Sequence, residues 1–177
     1  MECARGRGPA ARPTDLAPAP GKHSVIRSLS HRIDFLFDLT ERRLAAARAN
    51  GVVAPRVLGQ ARAAALELAA SGPVGLVHGD LHPANVLVGP HARMVAIDPR
   101  PTWGDADFDA VDWVLEGAVD PVGLEQRGEE LAALVPGMSP ARVLDWCRAL
   151  AALVAVPRTC AGRADAETWF LMALAGG

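Results

Sequence analysis

From Leu29 onward, apolar residues recur near helical spacing: Leu29, Ile33, Leu36, Phe37, Leu44 and Ala47. Residues three or four apart share one face of a helix, so this stripe predicts a helix that Gly51 would stop. A second helix is predicted over 55–70, with Leu58, Ala61, Ala65, Leu66 and Ala69 as its apolar stripe and Ser71-Gly72-Pro73 as its end. The pattern then shortens to brief apolar runs, Val74–Val77, Val86–Val88 and Met94–Ile97, which read as strands. Gly89-Pro90-His91-Ala92 between the last two reads as a hairpin turn, with His91 in solvent. After Asp98-Pro99-Arg100-Pro101 the helical rhythm returns and predicts helices over 107–116, 123–134, 140–156 and 165–175. Ser139 before Pro140 fits an N-cap followed by proline at the first helical position. Two helices, a small β-structure holding a polar loop, and four more helices make an α+β, mostly helical fold. No segment repeats.

Residues 1–22 break this picture. They are rich in Pro, Ala, Arg and Gly without periodicity, and read as a disordered segment or a mis-assigned start. The folded unit is expected over 23–177. Composition then excludes several classes. Eighteen basic residues against 20 acidic ones leave no basic bias, which argues against nucleic acid as a partner. Cys3, Cys147 and Cys160 are odd in number and lack CxxC spacing, so neither a zinc site nor a disulfide framework is expected. No secretory leader and no apolar run of about 18 residues is present, which makes the cytoplasm the expected compartment and leaves no membrane partner.

The chemistry is concentrated between His78 and Asp98. Asp80, Asn85 and Asp98 carry oxygen ligands at the ends of short apolar strands, and hard cations such as Mg²⁺ take oxygen ligands beside substrate phosphates. The plainer account of these residues is that Asp and Asn cap turns and bond local backbone; the full spacing favours chemistry. His78-Gly79-Asp80-Leu81-x-x-x-Asn85 fits the kinase loop H-R-D-L-x-x-x-N at every fixed position except the arginine, which is Gly79. A strand, a turn and a strand then lead to Asp98, as in that template. His78 is expected to shape the turn.

With His82-Pro83 following, the segment resembles the aminoglycoside phosphotransferase family, whose motif is close to H-G-D-L-H-P-x-N. Ile97-Asp98-Pro99-Arg100-Pro101 with Gly104-Asp105-x-x-x-Asp109 resembles its streptomycin-kinase branch, the aminoglycoside/hydroxyurea resistance kinases. The resemblance runs from about His23 to the C-terminus and is densest between Leu76 and Trp113. It implies a kinase-like C-terminal lobe in which Asp80 is the catalytic aspartate and His82 supports the transferring phosphate. Asn85 and Asp98 would bind the cofactors, holding Mg²⁺ against the phosphates of ATP. The implied acceptor is a hydroxyl of a small molecule, an aminoglycoside such as streptomycin.

Asp105, Asp107, Asp109 and Asp112 cluster at a helix start, where carboxylates suit the helix dipole. A structural role, with Asp105 or Asp109 bracing the catalytic loop, is preferred to contact with a polycationic substrate. Trp103, Trp113, Trp146 and Trp169 are expected in core or groove packing. The β-rich lobe that grips ATP is not visible: fewer than thirty residues precede the first helix, and neither Arg5-Gly6-Arg7-Gly8 nor Pro20-Gly21-Lys22 lies between a strand and a helix. A truncated gene, a wrong start codon or a lobe used without catalysis would each account for this, and the isolated chain is expected to bind Mg-ATP weakly and turn over poorly. Two rivals stay open. One is a metal-dependent phosphohydrolase built on His78, Asp80 and His82. The other is a non-catalytic remnant or binding module whose uncovered lobe surface would self-associate.

Overall fold

The computed structural model describes residues 26–49 and 52–176. The readings of residues 1–22 and of Gly51 lie outside the described residues. The order is β1 (Arg27–Ser28), α1 (Leu29–Ala46), α2 (Pro55–Ser71), β2 (Gly75–Val77), β3 (Val86–Val88), β4 (Met94–Ala96), β5 (Thr102–Gly104), α3 (Val111–Leu115), α4 (Pro121–Leu134), α5 (Pro140–Cys160) and α6 (Ala166–Gly176). This is the α+β, mostly helical architecture that the periodicity implies. Single 3₁₀ turns at Pro83–Asn85, Pro90–Ala92 and Ala106–Ala110 link the strands and open α3.

The core is built around α5, which packs on α1, α2, α3, α4 and α6. Trp146, Cys147, Ala151, Ala152, Ala155 and Val156 on this helix are fully buried, and its alanines let neighbouring helices approach closely. Phe108 meets the Trp146 ring edge-on, with centroids 5.5 Å apart. On α1 the buried stripe is Leu29, Ile33, Phe37, Thr40 and Leu44. Thr40 fits there because its hydroxyl donates to the Leu36 carbonyl.

Several expectations need correction. Ala47 is exposed, and α1 ends before Gly51 is reached. Its terminator is Arg48, at φ +52°: the Arg48 N–H bonds the Ala45 carbonyl and the Ala49 N–H bonds that of Leu44. This is a Schellman closure with arginine where glycine is usual. Arg48→Gly is therefore expected to stabilise the chain by about 0.5–1 kcal/mol, read as a raised urea midpoint. The predicted helix over 107–116 is a 3₁₀ turn followed by a short α3. Helix α5 runs past Val156 through Pro157 to Cys160, because a proline in the last turn forfeits only one helical bond. Trp169 is 66% exposed and packs in no core.

Two sheets position the polar loop. In the first, β5 lies between β1, parallel to it, and β2, antiparallel to it. Strands β1 and β5 were not foreseen, since runs of two or three residues carry no readable period. The second is the hairpin β3–β4, with Val86 opposite Ala96 and Val88 opposite Met94. Its turn follows Gly89-Pro90-His91-Ala92 as expected, with the Gly89 N–H bonded to the Arg93 carbonyl.

Candidate active site

Strand β2 delivers the chain into the loop 78–85, and side chains from distant elements bond several of its polar backbone groups, at His78, Gly79 and Leu81. Both oxygens of Asp109 accept backbone N–H bonds, from His78 at 2.7 Å and from Gly79 at 2.9 Å. Arg32 on α1 donates through Nε to the Gly79 carbonyl and through Nη2 to Asp80 Oδ1, each at 2.9 Å. The Trp113 indole donates to the Leu81 carbonyl at 2.8 Å, and Asn85 Nδ2 donates to the Asp80 carbonyl at 2.9 Å. His78 Nε2 donates to the Ile97 carbonyl at 3.1 Å, and the Arg100 N–H bonds the His78 carbonyl. His78 thus ties the loop to the hairpin's exit, the structural task expected of it. A loop held from several sides keeps its side chains in fixed positions.

Gly79 sits at φ +77°, and a Cβ there would fall into the Arg100 carbonyl and against Thr102 Oγ1. This is the physical reason that the protein-kinase arginine has no counterpart at this position. Gly79→Ala is expected to cost at least about 2 kcal/mol, from the left-handed backbone alone and the forced shift of Arg100. A urea melt within a few tenths of a kcal/mol of the parent would refute this.

The hairpin sets the backbones of Asn85 and Asp98 near each other. The Ile97 N–H bonds the Asn85 carbonyl at 2.9 Å, so Asn85 and Asp98 stand at adjacent positions on one end of the ladder. Asn85 directs its amide nitrogen to Asp80, which leaves its oxygen for a ligand. Asp98, at φ +51°, is largely exposed, with Arg100 Nη2 at 3.4 Å as its partner. This donor set fits Mg²⁺, which keeps several waters and binds through one or two protein oxygens plus substrate phosphates. His82 sits within the field of Asp112.

The acidic cluster divides by task. Asp109 holds the loop 78–85, whereas Asp105 is buried between helices, where it accepts from Arg142 Nε, from Trp146 Nε1 at 2.8 Å and from the Asp107 N–H at 3.0 Å. Burial raises the carboxyls of Asp107, Asp109 and Asp112 above the ordinary range, against the bonds Asp107 and Asp109 accept from backbone N–H groups. For Asp112, desolvation leads, opposed by His82 and reinforced by Asp80. A raised folded-state pKa means the native state binds protons more tightly, so this group's penalty shrinks as pH falls through that value. Asp112→Asn is accordingly expected to be more stable than the parent at pH 7, with the difference in urea midpoint closing as pH falls toward 4. A gap that stays constant would refute it. The buried Cys147 thiol is pushed up to about 12, and Cys160 is exposed. Among the described residues no group of three or more His, Cys, Asp and Glu side chains is placed so that it could hold a metal ion.

Arg32 has no place in the sequence reading, and Trp113 figures there only as a packing residue. Arg32 and Trp113 lie 48 and 32 positions from their partners, and neither belongs to the motif.

Residues 16–162 match the family described as aminoglycoside/hydroxyurea antibiotic resistance kinase. The chain belongs to this family. These resistance kinases are phosphotransferases, and the stretch that carries the resemblance is the pinned loop and hairpin described above. A hydroxyurea phosphotransferase of Kitasatospora aureofaciens is 40% identical over 62 residues, which are 35% of this chain and 18% of that protein. The chain thus matches less than a fifth of the length of that relative. No solved structure matches the chain. Among the described residues no helix is long and apolar enough to cross a membrane.

Proposed function

We propose that this chain is the C-terminal, catalytic lobe of a kinase that transfers the γ-phosphoryl group of ATP to a hydroxyl of a small molecule. The observation that carries this is the fixed Asp80 carboxylate beside a hairpin end bearing Asn85 and Asp98. Arg32 occupies Asp80 Oδ1, and among the described residues Oδ2 has no hydrogen-bond partner, which suits it to accept the acceptor's hydroxyl proton. Asn85 and Asp98 would hold Mg²⁺, which when bound supplies charge to neutralise the transferring phosphoryl group. His82 stands two residues from Asp80 in the same loop, a place suited to supporting that phosphoryl group.

The folded unit over 23–177 would serve as this lobe in the cytoplasm, where ATP is available. Apolar side chains left in solvent support this reading. Val88 and Met94 on the hairpin are 73% and 70% exposed, and Val74 and Leu76 lead into the loop with more than half their surface in solvent. Exposed apolar residues beside one another mark contact surfaces, and self-association through these would show in gel filtration.

For the acceptor, the resemblance points to streptomycin and the relative's name to hydroxyurea. The test is mass spectrometry of either compound after incubation with the chain, ATP and Mg²⁺, with and without EDTA. A phosphorylated product that requires ATP and disappears with EDTA is expected, at a slow rate. Hydrolysis of phosphate esters without ATP would sink the reading.

A further inference from the structure

The carboxylate of Asp80 is held by a side chain from far along the chain. Arg32 on α1, 48 residues earlier, turns the Nε–Nη2 edge of its guanidinium to the loop. That edge donates to two acceptors at once, the Gly79 carbonyl and Asp80 Oδ1, each at 2.9 Å. The arginine side chain is 14% exposed and that of Asp80 31%, so the pair is largely sheltered from solvent. The guanidinium also lies 5.7 Å from the centroid of the Phe35 ring. A planar fork that meets a carbonyl and a carboxylate together fixes direction as well as charge, which an ammonium on a flexible stem does not.

Arg32, Leu36 and Asp80 line two cavities in common, one of about 150 Å³ under the loop and an open basin of about 940 Å³ along α1. The ion pair therefore stands in the wall between them. The smaller cavity is lined also by Asp109 and Asp112, whose negative charges act on that of Asp80. The backbone of the loop has other restraints, in the His78 and Gly79 N–H bonds to Asp109 and the Trp113 indole bond to the Leu81 carbonyl. Those bonds hold the main chain and leave the Asp80 side chain free to choose among its staggered rotamers. Without Arg32 the carboxylate has space on both sides of it and like charges on one.

We propose that Arg32 is a positioning residue for phosphoryl transfer, selecting the Asp80 rotamer in which Oδ1 is occupied and Oδ2 is left for the acceptor hydroxyl. The proposal rests on the reading of Asp80 as the catalytic aspartate. In the transfer, the acceptor oxygen bonds the γ-phosphorus, the β–γ bridging P–O bond breaks, ADP leaves and the hydroxyl proton passes to Asp80. Arg32 takes part in none of these events and acts only through the carboxylate, so its loss falls on the chemical step and not on binding. A carboxylate that wanders among rotamers is in line with the attacking oxygen for only part of the time, and misplacement of this kind costs about 10–10²-fold in rate.

The test compares the parent chain with Arg32→Gln, Arg32→Lys and Arg62→Gln. Arg62 on α2 is the matched control: it too reaches across with a forked guanidinium, to Asp34 at 2.7 Å and Asp38 at 2.9 Å on α1, and it makes no bond to the loop. Three-bond couplings from the Asp80 carboxyl carbon to its backbone nitrogen and carbonyl carbon read χ1 without any substrate. They should report a single rotamer in the parent and in Arg62→Gln, and averaged values in Arg32→Gln. With ATP, Mg²⁺ and streptomycin or hydroxyurea, kcat should fall about tenfold or more in Arg32→Gln while both KM values stay within about twofold. Arg32→Lys, with the charge but not the fork, should lie between, and urea midpoints check that every variant is folded. A single Asp80 rotamer in Arg32→Gln, a loss in KM in place of kcat, or an equal loss in Arg62→Gln would overturn the proposal. If the parent phosphorylates neither compound, the kinase reading of the chain falls by itself, and the couplings alone uphold or overturn the hold of Arg32 on the carboxylate.

Discussion

Replacing Asp80 by asparagine is expected to lower phosphoryl transfer by about 10²–10⁴-fold, the range for losing a positioned general base. Asparagine keeps the shape and an oxygen for the Arg32 Nη2 bond, so the loop should hold its geometry. What it loses is the second carboxylate oxygen, which becomes an amide that donates a hydrogen bond where a hydroxyl needs an acceptor. Asp98→Asn is expected to be about as damaging, for a different reason. Asp98 sits at φ +51°, a conformation that asparagine adopts more readily than most residues, and it is 62% exposed with one long contact to Arg100. The substitution leaves the fold alone and removes one unit of negative charge from the proposed metal site. Added Mg²⁺ should recover part of the activity of Asp98→Asn and none of that of Asp80→Asn. Initial rates of product formation across a Mg²⁺ series would decide this. Transfer within a few-fold of the parent in Asp80→Asn would remove that residue from the chemistry.

The difference between what was legible in the sequence and what was not follows the range of the interactions. Helices α1, α2, α4 and α5 announce themselves because burial repeats every three or four residues over many turns. Strands β1 and β5, two and three residues long, are defined only by their partners 75 residues along the chain and by β2. The helix predicted over 140–156 continues through Pro157 to Cys160, because a proline there forfeits only one helical bond. The site splits in the same way. Asp80, Asn85 and Asp98 fall within one motif, and the hairpin that unites them has a turn signature of its own. Arg32 sits on a helix with no motif, and only the tertiary fold brings it to Asp80. Asp105 and Asp109 looked alike as acidic residues near a helix start, and only their partners separate a helix brace from a loop brace.

Asp105→Ala is expected to cost about 3–5 kcal/mol, the range for removing one partner of a buried ion pair. Asp105 is 1% exposed and serves three donors. Without it the Arg142 guanidinium, bonded also to the Leu68 carbonyl at the end of α2, keeps a mostly buried charge with only the more distant Asp107 carboxylate in its field. The Trp146 indole N–H, in a side chain with no exposure, loses its acceptor, and so does the Asp107 N–H. Each unsatisfied buried donor adds a penalty of about 1–3 kcal/mol, so little of the loss can be relaxed away. Since folded domains hold only about 5–15 kcal/mol, the variant should be partly unfolded at physiological temperature. Asp105→Asn retains one acceptor and should lose less. The coupling is tested with Arg142→Met. If the ion pair is the cause, the double variant Asp105→Ala/Arg142→Met should be more stable than Asp105→Ala alone, because it no longer buries an unpaired cation. Urea midpoints for the four proteins measure this directly. Additive losses would mean instead that Asp105 acts mainly through the Trp146 and Asp107 N–H groups.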